Sequence, residues 1–497
     1  MLELRRSNRL VWLYSIPQVV GRQILSSVGR STTDTLPQTG SLTIVYVVAL
    51  TQFAIPFMYS GVALTLPAMG LELAASGVSL ALIETVYLGA GAAFLLPLGR
   101  IAESADKYTL FKAGLVVYAL TTFVIGFLPG VTSVVMVRFV QGIASAFMGA
   151  TAMAILFESA SPATRGRAIG LCLGSVYAGL AAGPLVAGLV TSHLGWRWVY
   201  FLTALPLFAS FAAVETTFRG WKFSYPDLNW RASLFVVAAV FFLILGCALM
   251  GRGMWGYLSL MMGALACAGF FHFDNRSRRP MLEVARIRAN REYGAALTGL
   301  FVIYAGGFGM IFLFSIYLQM LNGFSPQQAG FVLMVSPVVM AIIAPISGRL
   351  TDRFSAKILS ALGALCVMAS LLMATAVTIG TALPYLVAVL VVQGVGFALF
   401  SSPNMSLILH SVDADQLSMA SALSAKMRSL GMVASMAIVT VFLSLFMGTD
   451  PIGQGGDYIH GMLFNYLSVL EYSFVAHAAL ACLAALLVVG TTYRRDR

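Results

Sequence analysis

Two segments, GRIAESADKYTLFK at residues 99–112 and GRLTDRFSAK at residues 348–357, decide the fold because they repeat one pattern. Each begins with Gly-Arg at the end of an apolar run, has an acid four residues after the glycine and continues to a lysine. An internal repeat in an all-helical membrane chain is typical of transporters, whose substrate site lies between the two halves. The repeat therefore predicts two related helical bundles.

The composition of the whole chain is that of a membrane protein, with 59% hydrophobic and 10% charged residues. A soluble domain carries about 25% charged residues. A membrane-spanning helix needs roughly 20 mainly apolar residues. The apolar runs predict fourteen helices, at 43–68, 77–98, 109–129, 132–156, 167–190, 196–217, 230–250, 254–272, 293–319, 326–346, 356–378, 382–403, 419–446 and 466–491.

The net charge of +11 is explained by topology and does not indicate a nucleic-acid partner. Apart from Arg138, Arg197 and Arg252, the lysines and arginines lie in the termini, in every second loop or at the adjoining helix ends. Cytoplasmic loops of membrane proteins carry this excess of basic residues. The sequence therefore predicts a multi-pass protein of the cell inner (cytoplasmic) membrane with both termini cytoplasmic.

The repeat and the helix count predict four parts of the chain. They are a cytoplasmic N-terminal extension (1–42), an N-terminal six-helix bundle (43–217), two inserted helices with cytoplasmic linkers (218–292) and a C-terminal six-helix bundle (293–497). A long outer loop is expected at 447–465.

The five cysteines all lie inside predicted helices, so we interpret them as small packing residues rather than as a disulfide or metal set.

Motifs along the chain resemble, in order, those of the major facilitator superfamily, and in particular its fourteen-helix drug–proton antiporter branch. The resemblance covers nearly the whole chain after residue 45. The corresponding residues are Gly99, Glu103, Asp106 and Lys107 in the first loop, Asp352 and Arg353 in its second copy, 138–142 in the fourth helix, and Gly179, Gly183, Pro184 and Gly188 in the antiporter motif. The resemblance implies two bundles that rock around a central cavity, with charge pairs between the loop residues that bias the conformations.

This chain departs from the family pattern at two places. Glu103, Ser104 and Asp106 stand where the family's loop signature has Asp, Arg and Gly. The first helix carries no acid, and Met58 occupies the position where the branch usually has a carboxylate. In this chain, the role that this carboxylate has in relatives must be taken by another group, or it is absent.

Glu84 lies within SLALIETVYLGAGAAFLLPLG, residues 79–99, a run that is otherwise apolar. A carboxylate at the bilayer centre costs a few kcal/mol, so it is expected to hold a proton or to meet a cation. Glu84, Tyr87 and Gly91 share a helix face that could open onto a cavity. We interpret Glu84 as a candidate for proton coupling. The alternatives are a static pair with Arg138 and a solvated position near the end of the helix.

Arg138 begins a stripe of polar or small residues that continues with Gln141, Gly142, Ser145 and Gly149. Because arginine stays charged, it must meet an acid, a carbonyl group, water or an anionic substrate. The resemblance implies that this arginine takes part in proton transfer. A structural ion pair is the alternative.

The stretch GLAAGPLVAG, residues 179–188, places Gly179, Gly183 and Ala187 on one helix face, where small residues let another backbone come close. Pro184 bends the helix. The resemblance implies a close-packed hinge or seal, and ordinary small-residue packing is the alternative.

The predicted substrate cavity is mostly uncharged. Its candidate residues are Met58, Tyr87, Gln141, Tyr304, Gln319, Gln393, Phe397 and Asn404. Lys426 and Arg428, near the start of the thirteenth helix, are interpreted as interfacial anchors. Few buried charges favour a substrate that is neutral, weakly charged or lipid-like, although Arg138 leaves room for an anionic metabolite.

The sequence contains neither a GxxxxGK[ST] phosphate-binding loop nor an HExxH motif. Direct ATP-driven transport and zinc protease activity are therefore disfavoured, no enzyme is predicted, and no cofactor beyond the proton gradient is expected.

The favoured function is a proton-coupled antiporter that exports an apolar or amphipathic drug or metabolite. Its expected partners are this small molecule, protons, the lipid bilayer and, in a double-membrane bacterium, a periplasmic adaptor. The alternatives are a proton-coupled importer, a lipid or siderophore exporter, and a non-transporting membrane sensor or scaffold.

Overall fold

The computed structural model describes residues 38–160, 164–218, 220–222, 228–277, 280–282, 284–413, 416–448 and 456–490. The membrane helices are α1 (Gln38–Glu72), α2 (Gly77–Ser104), α3 (Lys107–Ile125), α4 (Val131–Ser159), α5 (Arg165–Leu194), α6 (Arg197–Thr217), α7 (Trp230–Ala248), α8 (Met254–Asn275), α9 (Arg291–Leu321), α10 (Pro326–Leu350), α11 (Ala356–Thr375), α12 (Leu383–His410), α13 (Leu417–Phe446) and α14 (Gly456–Val489). The predicted extension 1–42 lies almost wholly outside the described residues.

Each of these 14 helices is long and apolar enough to cross a bilayer. The all-α fold and the predicted helix count are therefore confirmed, and the chain is a multi-pass membrane protein. A 3-10 turn, Met250–Arg252, joins α7 to α8, and a short helix, Val284–Ala289, precedes α9. Because α14 begins at Gly456, the loop expected at 447–465 is shorter than predicted.

Two membrane helices are interrupted. Helix α9 consists of Arg291–Gly307, Met310–Ile316 and a π-helical turn, Tyr317–Leu321. Helix α10 consists of Pro326–Leu333 and Val335–Leu350. The break in α9 is stabilised from a neighbouring helix, because the backbone N–H of Gly309 donates to Ser435 Oγ at 2.9 Å. A freed backbone group in a membrane helix needs such a partner.

The same order of helix packing occurs twice along the chain. In the N-terminal half α1 packs on α5, α2 on α4, and α3 on both α4 and α6. In the C-terminal half α9 packs on α13, α10 on α12, and α11 on both α12 and α14. Helices α7 and α8 pack on each other, and α7 also packs against α2 and α13. The two halves therefore repeat one arrangement, with α7 and α8 beside the seam between them.

The helices alternate in direction, which gives the bundle two distinct ends. Glu72 accepts from Trp196 Nε1 at 2.6 Å and pairs with Arg197, so the loops after α1 and α5 lie at one end. Lys107 pairs with Glu158 at the other end, where the segment 99–112 lies. We name this second end the basic end and the first the opposite end.

Lys112 fixes the loop after α6 to the basic end of α3. Its buried Nζ donates to Glu215 Oε2 at 2.9 Å and to the carbonyl oxygens of Phe218 at 2.9 Å and Gly220 at 2.7 Å. Its side chain is 1% exposed. The ammonium group thus replaces its lost water with three fixed acceptors, as a buried charge requires.

Lys112→Met is expected to lower the stability of the purified protein, because hydrogen bonds to a charged group contribute about 1.5–3 kcal/mol each. Thermal unfolding in detergent measures the effect. Lys107→Met is the matched control, since Lys107 is paired with Glu158 on the surface and such pairs contribute only about 0–1 kcal/mol. Equal losses in the two variants would contradict the anchoring role of Lys112.

Candidate functional site between the two halves

A buried ion pair joins α2 to α4. Arg138 Nη2 donates to Glu84 Oε1 at 3.0 Å, and the two residues are 0% and 3% exposed. Helices α2 and α4 can approach closely here because residue 142 is a glycine. A Cβ at Gly142 would overlap the carbonyl oxygen of Tyr87. The solvated position considered for Glu84 is therefore excluded. Pairing with Arg138 is present, and proton coupling remains a prediction.

The other two nitrogens of the Arg138 guanidinium group also donate hydrogen bonds. Its Nη1 donates to Gln141 Oε1 at 2.8 Å, and its Nε donates to the Ile83 carbonyl oxygen at 3.2 Å. Its Cζ lies 4.2 Å from the centre of the Tyr87 ring, a distance at which a cation is attracted to the aromatic face. The guanidinium group is therefore held on several sides, which fixes its direction toward Glu84.

Hydroxyl groups extend this network into α3. Gln141 Nε2 donates to Thr122 Oγ1 at 2.7 Å, and the hydroxyls of Tyr87 and Tyr118 lie 3.3 Å apart. Tyr118 and Thr122 were not among the residues predicted from the sequence. Their only sequence signal is that they lie four residues apart on one face of α3.

The pair lies inside the span and close to the seam between the halves. Arg138 is seven residues into α4 and Glu84 seven residues into α2, so each is roughly 10 Å from the opposite end at 1.5 Å per residue. Glu84 also lines a small cavity of about 20 Å³, together with residues of α1, α9 and α13. A cavity of this size is just large enough for one water molecule.

The glycine motif makes two kinds of close contact. A Cβ at Gly179 would overlap the carbonyl oxygen of Phe53, and one at Gly183 would overlap Ser60 Oγ, so these glycines pack α5 on α1. A Cβ at Gly188 would instead overlap the carbonyl oxygen of Pro326 on α10. The motif therefore serves packing within the N-terminal half and contact between the halves.

Gly330 completes the contact between α5 and α10, although the sequence did not single it out. A Cβ on Gly330 would overlap the carbonyl oxygen of Pro184. Gln327 N donates to Ser192 Oγ at 2.9 Å beside it. The two glycines, Gly188 and Gly330, thus pack reciprocally against the facing backbone at the opposite end.

Helices α1 and α9 also meet at this end. Ser315 Oγ donates to the Ala63 carbonyl oxygen at 2.6 Å. Gln319 Nε2 donates to the Leu64 carbonyl oxygen at 3.2 Å and to Ser315 Oγ at 3.0 Å. Gln319, predicted for the substrate cavity, is therefore bonded across the seam between the halves. Met58, another predicted cavity residue, is 0% exposed and lies in the apolar core.

Tyr87 and Gln141, also predicted for the cavity, belong to the network around Arg138. The other predicted cavity residues lie in the C-terminal half around α9. Gln393 Nε2 donates to the Gly307 carbonyl oxygen at 3.1 Å, and the rings of Phe397 and Tyr304 are 5.4 Å apart. Asn404 Nδ2 donates to the Ala296 carbonyl oxygen at 3.1 Å and is fully buried. Asn404 therefore joins α12 to α9 by a hydrogen bond in the packed interior and does not line a cavity.

The charged residues of the first loop at the basic end form ion pairs and a helix cap within the N-terminal half. Glu103 pairs with Arg100 at 2.5 Å within α2, Lys107 pairs with Glu158, and Asp106 Oδ2 caps α3 by accepting from Thr109 N at 2.9 Å. Gly99 lies beside Lys426, whose Nζ would be 3.5 Å from a Cβ there. Asp352 and Arg353 are exposed, and neither has an ion pair or side-chain hydrogen bond within the described parts of the chain.

The interpretation of Arg428 as an interfacial anchor is wrong, whereas Lys426 lies beside Gly99 at the basic end. Helix α13 begins at Leu417, so Lys426 and Arg428 lie nine and eleven residues beyond its start. Arg428 lies among the phenol groups of Tyr304, Tyr59 and Tyr177. These tyrosines belong to α9, α1 and α5, so the charge of Arg428 lies near phenol groups from both halves.

Larger open space lies between α5 and α10, on the side of the basic end. This cavity has a volume of about 550 Å³. It is lined mainly by small and apolar residues of these helices, with Tyr177 on α5 and Ser402 on α12. Among the described residues, no group of three or more His, Cys, Asp or Glu side chains could hold a metal ion.

Residues 48–220 and 296–497 match the Major Facilitator Superfamily. The chain belongs to this family. The resemblance predicted from the loop, fourth-helix and glycine motifs is therefore confirmed, and the protein is a transporter of this superfamily.

Relatives of similar sequence include exporters and resistance proteins. The chain is 30% identical over 300 residues to the tetracenomycin C resistance and export protein of Streptomyces glaucescens, a match that covers 59% of this chain and 55% of that protein. It is 25% identical to the multidrug resistance protein Stp of Mycobacterium tuberculosis, over 72% of this chain and 67% of Stp. It is also 25% identical to the riboflavin transporter RibZ of Clostridioides difficile, over 73% of this chain and 79% of RibZ.

Solved structures agree on the fold. A peptide transporter POT in complex with sulfate superposes with a TM-score of 0.65 at 15% identity, over 92% of this chain and 96% of POT. A bacterial homologue of the human lysosomal transporter Spinster gives a TM-score of 0.62 at 15% identity, over 94% and 99% of the two chains. At this identity the likeness concerns the fold alone.

Proposed function

We propose that this transporter is a proton-coupled antiporter that exports a small organic molecule by alternating access. The observation that carries the proposal is the position of Glu84. Its carboxylate is buried, bound to one arginine, and lines a cavity shared by both halves. A proton that binds there changes a charge beside the seam between the halves, where the bundles must move.

The ion pair gives the proton a mechanical effect. When Glu84 is ionised, Arg138 attracts it, and when Glu84 is neutral that attraction falls while the bonds of Arg138 to Gln141 and to the Ile83 carbonyl group remain. A ligand shifts a conformational equilibrium by its different affinity for the two states. A proton bound more tightly in one arrangement of the halves therefore favours that arrangement.

The geometry also indicates the end of the bundle from which the substrate enters. The halves are in contact at the opposite end through α5 with α10 and α1 with α9, whereas the 550 Å³ cavity lies toward the basic end. If the basic end is cytoplasmic, as the positive-inside rule predicts, the substrate binds from the cytoplasm or from the adjacent lipid leaflet. Such a path suits an apolar or amphipathic compound, as do the relatives named for export and multidrug resistance.

The proposal is tested with the purified full chain in proteoliposomes under an imposed pH gradient. The compounds are neutral riboflavin, cationic ethidium and anionic anthraquinone-2-carboxylate. We expect at least one compound to accumulate on the acidic side, where protons flow out in exchange, and to redistribute when a protonophore collapses the gradient. Simultaneous fluorescence from a pH dye inside the vesicles reports the proton movement.

The sign of the coupling separates the alternatives. Accumulation on the alkaline side would identify an importer that carries the proton and the compound together, and would overturn antiport. Movement of a compound that does not depend on the pH gradient would indicate a facilitator that is not coupled to protons, and would overturn antiport. Absence of binding and movement for all three compounds would favour the sensor or scaffold and would reject the proposed function.

A further inference from the structure

Arg428 is a charged residue inside the membrane span that the proposed proton pathway does not use. It lies eleven residues beyond the start of α13, and its side chain is exposed. Within the described residues it has no carboxylate partner, because its electrostatic neighbours are the phenols of Tyr304, Tyr59 and Tyr177. Charged residues within membrane spans usually pair or face a water-filled cavity and mark substrate or ion pathways.

The surroundings of Arg428 are aromatic and come from both halves. Tyr59 of α1 contacts Phe308 of α9 edge-on, with ring centres 5.5 Å apart. Tyr304 of α9 contacts Phe397 of α12, with ring centres 5.4 Å apart. Aromatic residues from both halves therefore lie near this charge, and a ligand bound among them would contact both halves.

Tyr177 connects this charge to the larger cavity. It is an electrostatic neighbour of Arg428, and it also lines the 550 Å³ space between α5 and α10. That volume lies within the range of about 300–1,000 Å³ found for pockets that take drug-sized ligands. Apart from Ser402, the remaining lining is apolar, and part of it is small, including Gly170, Gly174 and Ala181.

We propose that Arg428, with Tyr59, Tyr177 and Tyr304, binds the acidic group of a planar aromatic substrate whose apolar body occupies the space between α5 and α10. A guanidinium group offers a planar set of donors that fits a carboxylate, sulfonate or phosphate group. Tyrosine rings stack on a flat ring system, and their hydroxyls donate to an anion. The inference rests on the proposed transport function and names its substrate class.

The same site disfavours cations. An organic cation would meet the charge of Arg428 with no acid beside it, and the carboxylate of Glu84 is already held by Arg138. An anionic lipid headgroup shares the chemistry of an anion with an apolar body, and it could arrive through the space between α5 and α10. The experiment therefore needs an arm that separates a lipid from a soluble aromatic anion.

Binding to the purified full chain is measured by calorimetry in nanodiscs with three compounds of one ring system. They are anthraquinone-2-carboxylate, its neutral 2-carboxamide and its 2-(trimethylammonio)methyl cation. Each is titrated in nanodiscs of phosphatidylcholine alone and of phosphatidylcholine with phosphatidylglycerol. We expect the carboxylate to bind most tightly and the cation most weakly, in both lipid compositions.

Arg428→Gln is expected to weaken carboxylate binding by about 10- to 100-fold, the effect of losing charge-assisted hydrogen bonds, and to leave carboxamide binding unchanged. Arg428→Lys should give an intermediate affinity because it keeps the charge and loses the planar donor set. Arg197→Gln is the matched control, since Arg197 pairs with Glu72 at the opposite end. Its affinities should equal those of the wild type. Thermal unfolding confirms that each variant is folded.

The outcomes separate this inference from the proposed function. Equal affinity for carboxylate and carboxamide, or no change in Arg428→Gln, overturns the inference while transport of aromatic compounds stands. Tight binding of phosphatidylglycerol that excludes the aromatic carboxylate also overturns it, in favour of a lipid anion. If none of the three anthraquinones binds, the inference fails, and the proposed function fails as well only when riboflavin and ethidium also do not bind or move under a pH gradient.

Discussion

Replacing Glu84 by glutamine is expected to abolish transport driven by a pH gradient while leaving exchange of substrate for substrate intact. Glutamine is similar in size and its carbonyl oxygen can still accept the bond from Arg138, but it cannot gain or lose the proton. Counterflow across vesicles at equal pH needs only binding and movement of the halves. The measurement is therefore a pair of assays on one variant, with and without the gradient.

The matched control is Glu72→Gln. Glu72 also pairs with an arginine, Arg197, but its side chain is 50% exposed at the opposite end. Exposed pairs contribute about 0–1 kcal/mol, so this variant should retain both counterflow and gradient-driven transport. Equal loss of gradient-driven transport in the two variants would show that the effect is not specific to the buried carboxylate.

A second comparison distinguishes coupling from a purely structural pair. Arg138→Gln leaves the carboxylate of Glu84 buried without its partner, and breaking a buried pair in this way costs about 3–5 kcal/mol. The double variant Glu84→Gln/Arg138→Gln removes both charges, so its unfolding temperature should recover toward that of the wild type. If the pair were only structural, gradient-driven transport would recover with it. We expect stability to recover and coupling to stay lost.

The global fold was predictable because its signals are strong and local. The number of helices follows from apolar runs of sufficient length, and the repeat follows from the Gly-Arg loops at 99–112 and 348–357. The interruptions of α9 and α10 were not predicted. The break in α9 depends on Ser435, which lies more than a hundred residues away in sequence and bonds to the freed N–H of Gly309.

The candidate site was predictable only in part, for a related reason. Glu84 and Arg138 stand out because a charge within an apolar run is costly. Tyr118 and Thr122 carry no such signal, since a hydroxyl in a membrane helix can bond to its own backbone, as Thr122 Oγ1 does to the Tyr118 carbonyl oxygen at 2.6 Å. Their role beside Tyr87 and Gln141 appears only when α3 packs on α4.

Arg428 was misinterpreted as part of a helix end, although the predicted start of its helix, residue 419, is close to the observed start at Leu417. Basic residues near the end of a span usually anchor it to the interface. Because α13 begins at Leu417, Arg428 lies about 16 Å from that end at 1.5 Å per residue, which places it too deep for an anchor. The tyrosines near it become known only when α1, α5 and α9 are packed together.

Gly188→Val is expected to open the opposite end of the bundle, because a side chain there would overlap the Pro326 carbonyl oxygen of the other half. Gly330→Val should act alike through the Pro184 carbonyl oxygen. Overpacking of this kind costs about 1–3 kcal/mol. Since backbone in both halves is rigid, the cost falls mainly on the closed arrangement and shifts the equilibrium between open and closed states by about 5- to 150-fold.

The shift is measured by the labelling rate of a cysteine placed at Ala63, which lines the small cavity beside Glu84, in a background without the five native cysteines. A membrane-impermeant thiol reagent is applied from the opposite end. Gly130→Val is the matched control, because Gly130 lies at the same end with nothing within 4 Å of an added Cβ. Faster labelling in Gly188→Val and Gly330→Val, with an unchanged rate in Gly130→Val, is the expected result. An unchanged rate in all three would mean that the contact between α5 and α10 does not close this end, and the seal would have to be sought in the bonds of Ser315 and Gln319 between α9 and α1.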